Sequence, residues 1–522
     1  MPGQVREQEP LLPRRLPLTA PARLARVGVV LVLLTALVRA PFRHPDGGHF
    51  HVALAQELML SAGAALLCAL AWRARLATRA DRITLWIGLL LLLELLSAAL
   101  AANGHLALRA STLVFAGCAL LLIARHAPPG SAQALAVPAG VVAASVVLEA
   151  LGVLPGLSPP GHAPGGVLGQ RNLAAQFIVC GAPFVALLAV RAPVRWQRGA
   201  GHALAALSMA AVVLTRSRSA WLAVIVLLAL GVTLVSTLAD NEGRGRAALL
   251  AITIAIGAGV APRLPTTLAW SSATPFRDTA SHLVDASTGS GAGRMAQYGT
   301  TLRMALAHPM LGVGPGGWSG QYPRFAAAND PSLRAGLRPT NRLPSSDLLG
   351  AVAERGFIAL VLGLLLLVEL WRAPGAERWT RRALLVALAV VASLDAVLQT
   401  AAPLALVALG LGFTTPAADE PPAGTLLPRA TFATAALILL VFAGFSGLRL
   451  AALHALSGRQ TFAAFELAVR RDPGDVASRM TLAEALVKAG RCAEARSHLA
   501  SLQKHSPAHP WLGELIGRCA SQ

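Results

Sequence analysis

Of 522 residues, 55% are hydrophobic and only 13% are charged, and the mean hydropathy is +0.59. A soluble protein carries about twice that charged share, so a soluble globular enzyme is excluded. The formal net charge of +20 is nearly all arginine, with Lys488 and Lys504 the two lysines. Much of it sits in short segments between apolar runs, which suits membrane topology and gives no reason to invoke a nucleic-acid partner.

In chain order, residues 1–23 form a basic N-terminus (Arg14, Arg15, Arg23) expected on the cytoplasmic side. Apolar stretches then recur at 24–39, 53–72, 83–102, 106–124, 134–154, 172–190, 201–214, 219–238 and 247–264. These nine lie in a first membrane block, residues 24–264, and each suits a helix of the roughly 20 residues that a bilayer requires. After a polar interval come 348–371, 383–413 and 430–448, within a second block, residues 347–448. The 383–413 stretch is too long for one span, and Thr400-Ala-Ala-Pro403 can turn it into two short ones. The fold class is therefore all-α, a polytopic helical membrane protein with 12 or 13 spans.

Arginines cluster after the second span (Arg73, Arg75, Arg79, Arg82), the sixth (Arg191, Arg195, Arg198) and the tenth (Arg372, Arg378, Arg381, Arg382). All three clusters fall on one side, which the positive-inside rule makes cytoplasmic. The long loop, residues 265–346, then lies outside, in the periplasm if the membrane is a bacterial inner membrane. From Pro262 to Ser346 there are eight arginines, no lysine, no glutamate and three aspartates, Asp278, Asp285 and Asp330. Long loops translocate whatever their charge. Arg216 and Arg218, in Leu214-Thr-Arg-Ser-Arg-Ser-Ala-Trp221, are harder to dismiss, because they sit in a turn with almost no loop. A charge at the membrane edge is costly unless paired, and marks a functional site by default.

Residues 459–522 change character. They are amphipathic, and Leu482, Ala483, Ala485, Leu486, Gly490, Ala493 and Ala495 follow the small-residue pattern of a tetratricopeptide repeat. With 13 spans this module is outside, with 12 inside. One repeat plus half-repeats is too short to stand alone, so it is expected to pack on the membrane domain, on itself or on an envelope partner. Cys68, Cys118 and Cys180 fall in apolar spans as core residues. Cys492 and Cys519 are read as two unpaired small residues, although an oxidising compartment would let them pair. No Cys/His spacing supports a metal site, and no cofactor is expected.

Singly, the polar motifs have ordinary explanations. Asn172 in Gly169-Gln-Arg-Asn172 can cap the sixth span. His308 can end a helix. Gly312-Val-Gly-Pro-Gly-Gly317 is a turn suited to positive φ. Asp347 can cap the tenth span, and Glu354 can pair with Arg355. Together and in this order they are more specific. Arg294-(x3)-Tyr298, His308-Pro-Met-Leu-Gly-Val-Gly-Pro-Gly-Gly-Trp318, Ser-Ser-Asp347 and Ala353-Glu-Arg-Gly356, with the Asn172 and Arg216/Arg218 segments upstream, resemble the O-antigen ligase and polymerase family over about residues 165–371. Members with appended tetratricopeptide repeats are common.

The resemblance implies a glycosyltransferase fold of the lipid-carrier class. It implies metal-independent, inverting transfer of a glycan from undecaprenyl diphosphate to a glycan or lipid acceptor, with membrane lipid around the site. Arg218 and Arg294 are expected to hold the diphosphate, with Arg216, Arg303 and Asn172 beside them, since guanidinium forks bind phosphate oxygens bidentately. The sequence departs from the family at Ser345, where a histidine is usual. Serine at its ordinary pKa cannot take a proton near neutrality, so Asp347 and then Glu354 are the substitutes, or else a histidine elsewhere, His282 and His308 being the two in the loop. A non-catalytic envelope scaffold and a lipid-linked oligosaccharide flippase are the alternative readings.

Overall fold

The computed structural model describes residues 19–39, 50–76, 80–154, 157–158, 162–238, 241–268, 270, 272–287, 289–327, 330–331, 333–334, 338–339, 343–416, 430–458, 461–505 and 510–521. The basic N-terminal residues 1–18, Arg79 and Arg342 lie outside them.

The chain is an all-α membrane protein. The helices that build the layer are α1 (Ala20–Leu37), α2 (Phe50–Arg73), α3 (Arg82–Leu100), α4 (Gly104–Ala124), α5 (Ala136–Ala150), α6 (Arg171–Arg191), α7 (Arg195–Thr215), α8 (Arg218–Leu238) and α9 (Asn241–Val260). The loop contributes α10 (Pro275–Ser281), α11 (Gly289–Ala307) and α12 (Trp318–Gln321). The layer resumes with α13 (Asp347–Arg372), α14 (Arg378–Leu394), α15 (Ala401–Phe413) and α16 (Ala430–Gly458). Four shorter helices follow: α17 (Phe462–Arg471), α18 (Val476–Lys488), α19 (Cys492–His505) and α20 (Pro510–Ala520). The one β element among the described residues is a two-residue antiparallel pair, Leu333–Arg334 with Arg338–Pro339.

Among the described residues, ten helices are long and apolar enough to cross a membrane. Two apolar segments are shorter, Arg218–Thr233 and Ala401–Phe413, and α14 has 17 residues. The 383–413 stretch does break in two. Its break runs from Asp395 to Thr400, and α14 and α15 fold back on each other. Arg381 at the start of α14 is fully buried and donates to the carbonyls of Leu370 (2.6 Å), Ala373 and Thr414, so one guanidinium ties the ends of α13 and α15 to the beginning of α14. The five guanidinium N–H donors let one side chain satisfy several orphan helix-end carbonyls at once.

Contacts sort the helix ends into two faces. On one, Arg191 donates to Ala376 O (3.2 Å), Gly130 N to Glu377 (3.2 Å), Arg125 to Thr415 O (3.3 Å) and Arg246 to Val190 O (3.3 Å). The connections bearing Arg73, Arg191 and Arg372 meet this face together. On the other face lie the ends of α1, α3, α5, α7 and α9, the long loop, and the Asp395–Thr400 break. Contacts of the C-terminal helices with the start of α4, from Asn103 to Gly474 O and from Arg109 to Asp472, put them on the loop's face as well.

Helix α16 packs along α2 and carries α17–α20 to that face. Arg449, near its end, pairs with Glu57 of α2 (2.8 Å) and Asp472 (3.2 Å), and Asp472 also meets Arg109 of α4 (3.4 Å). Asn103 donates to Gly474 O (3.0 Å), fixing the turn between α17 and α18 on α4. The four helices share their own core around Leu482, Leu486, Leu499 and Leu502. Cys492 and Cys519 form a disulfide, which corrects their reading as unpaired residues. They lie 27 residues apart, and their helices α19 and α20 pack as neighbours, so the chain folds back far enough to bring the thiols together.

Candidate active site

The segment before α6 is shaped by two polar anchors, the buried Glu149 and the half-buried Arg39. The Glu149 carboxylate accepts from the backbone N–H groups of Ser158 (2.6 Å), Gly165 (3.0 Å) and Gly166 (2.7 Å). Arg39 donates to the carbonyls of Gly166 (3.0 Å) and Val167 (3.0 Å). A Cβ at Gly165 would come within 2.3 Å of Gln170 N, so only glycine lets the chain turn here into the helix. The result sets Arg171 as the first residue of α6. Gln170 occupies the cap position without a side-chain bond, and Asn172 is therefore not the cap.

Arg171, at the start of α6, lies within electrostatic reach of Arg216, Arg294 and Arg218. Three separate stretches of sequence thus contribute to one cationic cluster. Helices α7 and α8 are joined by Arg216 and Ser217 alone, and Arg216 makes the turn in the left-handed region (φ 54°). A non-glycine residue adopts that conformation only when its surroundings hold it there. Arg216 donates to Thr279 Oγ1 (2.9 Å) and lies over the Trp270 ring, 5.4 Å from its centroid. Burial lowers its pKa, while nearby Asp278 raises it. Arg218 donates to the carbonyls of His282 (2.8 Å) and Asp285 (3.0 Å).

Helix α11 brings the second group. Arg294 pairs with Asp395 in the α14–α15 break (3.3 Å), each side chain about one-fifth exposed. One turn on, Tyr298 donates to Ser345 O (3.1 Å), and burial raises its phenol above the ordinary value. Ser345 donates to Gln297 Oε1 (2.5 Å). The residue at the family's histidine position therefore faces α11, beside Arg294. Arg303, nine residues beyond Arg294, points half a turn away. It donates to Phe325 O (2.9 Å) and Thr300 Oγ1 (2.9 Å), so α11 does not bring it to the cluster.

The two carboxylates chosen from sequence have structural engagements. Ser346, not Asp347, caps α13. The Asp347 carboxylate is buried and accepts from Val397 N (2.7 Å), Leu398 N (2.8 Å) and Gln399 Nε2 (3.4 Å), which holds the α14–α15 break in place. Glu354 accepts from Trp318 N (3.3 Å) and from Arg355 (2.9 Å), and Arg355 also bonds Glu94 of α3. These contacts explain the Gly/Pro motif. Val313 N and Gly314 N bond the carbonyls of Ala353 and Glu354, and Phe357 N bonds Pro309 O. A Cβ on Gly312 (φ 66°) would sit 2.2 Å from Glu354 C, and one on Gly356 (φ 80°) 2.1 Å from Met310 O. The motif is an interlock between the loop and α13, with Trp318 and Tyr322 buried beneath it. His308 follows the end of α11 and packs on Phe325 (6.1 Å).

Residues 203–364 match the family model described as O-antigen ligase. No curated protein matches the chain. The O-antigen ligase match spans α7 to the middle of α13, and so covers Arg216, Arg218, Arg294, Ser345, Asp347 and the interlock. It supports glycan transfer of the O-antigen ligase type, with a lipid-linked glycan and an acceptor as the substrates that such an activity implies.

Two residues at the site escaped sequence reasoning. Arg171 stood inside a quoted motif, where its neighbour Asn172 drew attention as a capping residue. Asp395 stood in an apolar run, Leu394-Asp-Ala-Val-Leu, and an acid within a span is itself a signal. Its pairing with a loop arginine 101 residues away could not be read from spacing.

Proposed function

We propose that the protein transfers a glycan from undecaprenyl diphosphate to an acceptor hydroxyl on the loop's face of the membrane, the periplasmic face of a bacterial inner membrane. The observation that carries this reading is the convergence of Arg171, Arg216, Arg218 and Arg294 from three chain segments. Like charges are gathered at a cost, and a ligand bearing several negative charges repays it. A diphosphate leaving group gains charge as the glycosidic bond breaks, and guanidinium forks positioned in advance stabilise that charge without reorganising.

In the reaction the acceptor oxygen attacks the anomeric carbon, the bond from that carbon to the diphosphate oxygen breaks, and configuration inverts. The acceptor proton passes to a carboxylate. Asp395 suits this role better than Asp347, which backbone amides hold, or Glu354, whose Arg355 is also held by Glu94, because its partner Arg294 is a side chain that the arriving diphosphate can draw away. Arg294 then exchanges Asp395 for phosphate oxygens, and the carboxylate, still held by Ala396 N (3.1 Å), faces the acceptor. Neither Ser345 nor Asp347 has a comparable release. The C-terminal helices serve as a tetratricopeptide-like module for envelope partners.

The test is transfer in membranes supplied with lipid-linked glycan. Replacing Arg171, Arg218 or Arg294 by Ala should each lower transfer about 10- to 100-fold, the loss expected for one contact to a charged group. Arg303→Ala should leave the rate near wild type. Normal transfer in all three cluster variants would overturn the proposal. Accumulated lipid-linked glycan would identify a ligase, and short chains still attached to their acceptor a polymerase.

A further inference from the structure

We infer that Asn103 is a positioning residue for transfer, a role that rests on the diphosphate reading of Arg294. It ties the C-terminal helices to the turn between α3 and α4, and that turn sets the Gly/Pro motif and the helix that bears Arg294. Asn103 is buried, and both ends of its amide are engaged. Oδ1 accepts from Leu106 N (3.1 Å) and caps α4, while Nδ2 donates to Gly474 O (3.0 Å) in the turn between α17 and α18. The two segments are in close contact there. A Cβ on Gly474 would lie 3.0 Å from Leu106 N and 3.1 Å from His105 Cβ. Asp472, two residues earlier, is shared by Arg109 and Arg449 and is only 14% exposed. Buried polar contacts of this kind add little net stability, but they select one docking geometry.

The other side of the same turn meets the motif. A Cβ on Gly314 would lie 2.4 Å from Ala101 Cβ, and one on Gly316 3.1 Å from Ala110 Cβ and 3.2 Å from Leu106 Cγ. Leu106 therefore has the C-terminal helices against its backbone and the motif against its side chain. The contacts continue into α11. Trp318 Nε1 donates to Thr301 Oγ1 (2.9 Å), and Thr301 lies two helical turns beyond Arg294 on the same face. Met304 and Ala305 of α11 share a buried cluster with Trp318 and Tyr322. From Gly474 to Thr301 each step is a close-packed or hydrogen-bonded contact, so a shift of the α3–α4 turn is passed on rather than absorbed. A misplacement of about 1 Å near the chemistry can cost about 100-fold in rate.

Two variants break the contact from opposite sides. Asn103→Asp is nearly isosteric; it keeps the acceptor for Leu106 N and loses the donor to Gly474 O. Gly474→Val wedges a side chain against Leu106 and His105. Each should lower transfer about tenfold, and the double variant no further, because both remove one contact. Each should also speed hydrogen exchange about tenfold in peptides spanning Val313 and Gly314, whose amides close the interlock with α13. Exchange in α6 should stay as in wild type, which shows that the variants fold. In an Arg294→Ala background neither variant should cost more, whereas a general loss of structure would lower transfer there as well. The role of Asn103 is overturned if exchange at Val313 and Gly314 is unchanged, if transfer stays normal while that exchange rises, or if the full loss persists in the Arg294→Ala background. Normal transfer in Arg294→Ala itself would overturn the diphosphate reading instead, and exchange in the two variants would still decide whether the C-terminal helices set the motif.

Discussion

Removing the positive centre of the Glu94–Arg355–Glu354 cluster should be among the costliest single changes in the protein. Glu94 is 2% exposed, Glu354 4% and Arg355 14%. Arg355 donates to Glu94 through Nε and Nη2 (3.1 Å for the latter) and to Glu354 through Nη1 (2.9 Å). Arg355→Met keeps most of the volume and strands two buried carboxylates. Breaking a buried pair from one side costs about 3–5 kcal/mol, and here two acids lose their partner. The interlock between the Gly/Pro motif and α13 should loosen with it, because Ser97 of α3 bonds both Leu311 O (2.8 Å) and Glu354 O (3.1 Å) beside the cluster. The assay is denaturant or thermal unfolding of purified protein in one detergent, wild type against variant. The triple change Glu94→Leu, Glu354→Gln and Arg355→Met supplies the control. The amide oxygen introduced by Glu354→Gln can still accept from Trp318 N, and Ser111 falls back on Ala107 O (2.9 Å). Removing the whole set should recover most of the loss, since a buried ion cluster and an apolar replacement are often of similar stability. A single Arg355→Met variant within about 1 kcal/mol of wild type would refute the reasoning, because no buried uncompensated charge is that cheap.

Three further outcomes are expected. Asp347→Asn should keep an acceptor for the Val397 and Leu398 amides and retain transfer, whereas Asp347→Ala should destabilise by about 1–3 kcal/mol for each orphaned N–H; transfer lost in Asp347→Asn with stability intact would instead make Asp347 a reacting group. Gly356→Ala must place a Cβ against Met310 O at positive φ, so it should lower both stability and transfer, and a neutral result in unfolding and transfer assays would show that the interlock yields easily. Cys492→Ser should destabilise the C-terminal helices by about 2–4 kcal/mol, the usual worth of a disulfide closing a loop of this size. Limited proteolysis under oxidising and reducing conditions reads that change, and a disulfide found reduced in cells would argue that the loop's face is not the oxidising one.

Local sequence alone determined where the membrane helices lie. Apolar runs long enough to span a bilayer have few alternatives, because backbone groups in lipid must bond within their own helix. The Pro403 region promised a break in the 383–413 run, and the chain does break just before it. The positive φ of Gly312, Gly314 and Gly316 was legible for the same local reason, as was the pairing of Glu354 with Arg355. Charge patterning grouped the arginine-bearing connections on one face, as the folded chain also does.

What only the tertiary structure decided is which charges meet. Arg294 and Arg303 look alike in sequence, yet half a helical turn sends one to the cluster and the other to Phe325. Asp347 read as a helix cap or a substitute base until the α14–α15 break supplied two amides to occupy it. Asp395, unremarked in an apolar run, became the partner of Arg294. Cys492 and Cys519 were judged separate until α20 folded back on α19. The physical reason is common to all four. Apolar length and turn geometry act over a few residues, whereas the partner of a side chain is set by packing between helices that can lie far apart in the chain.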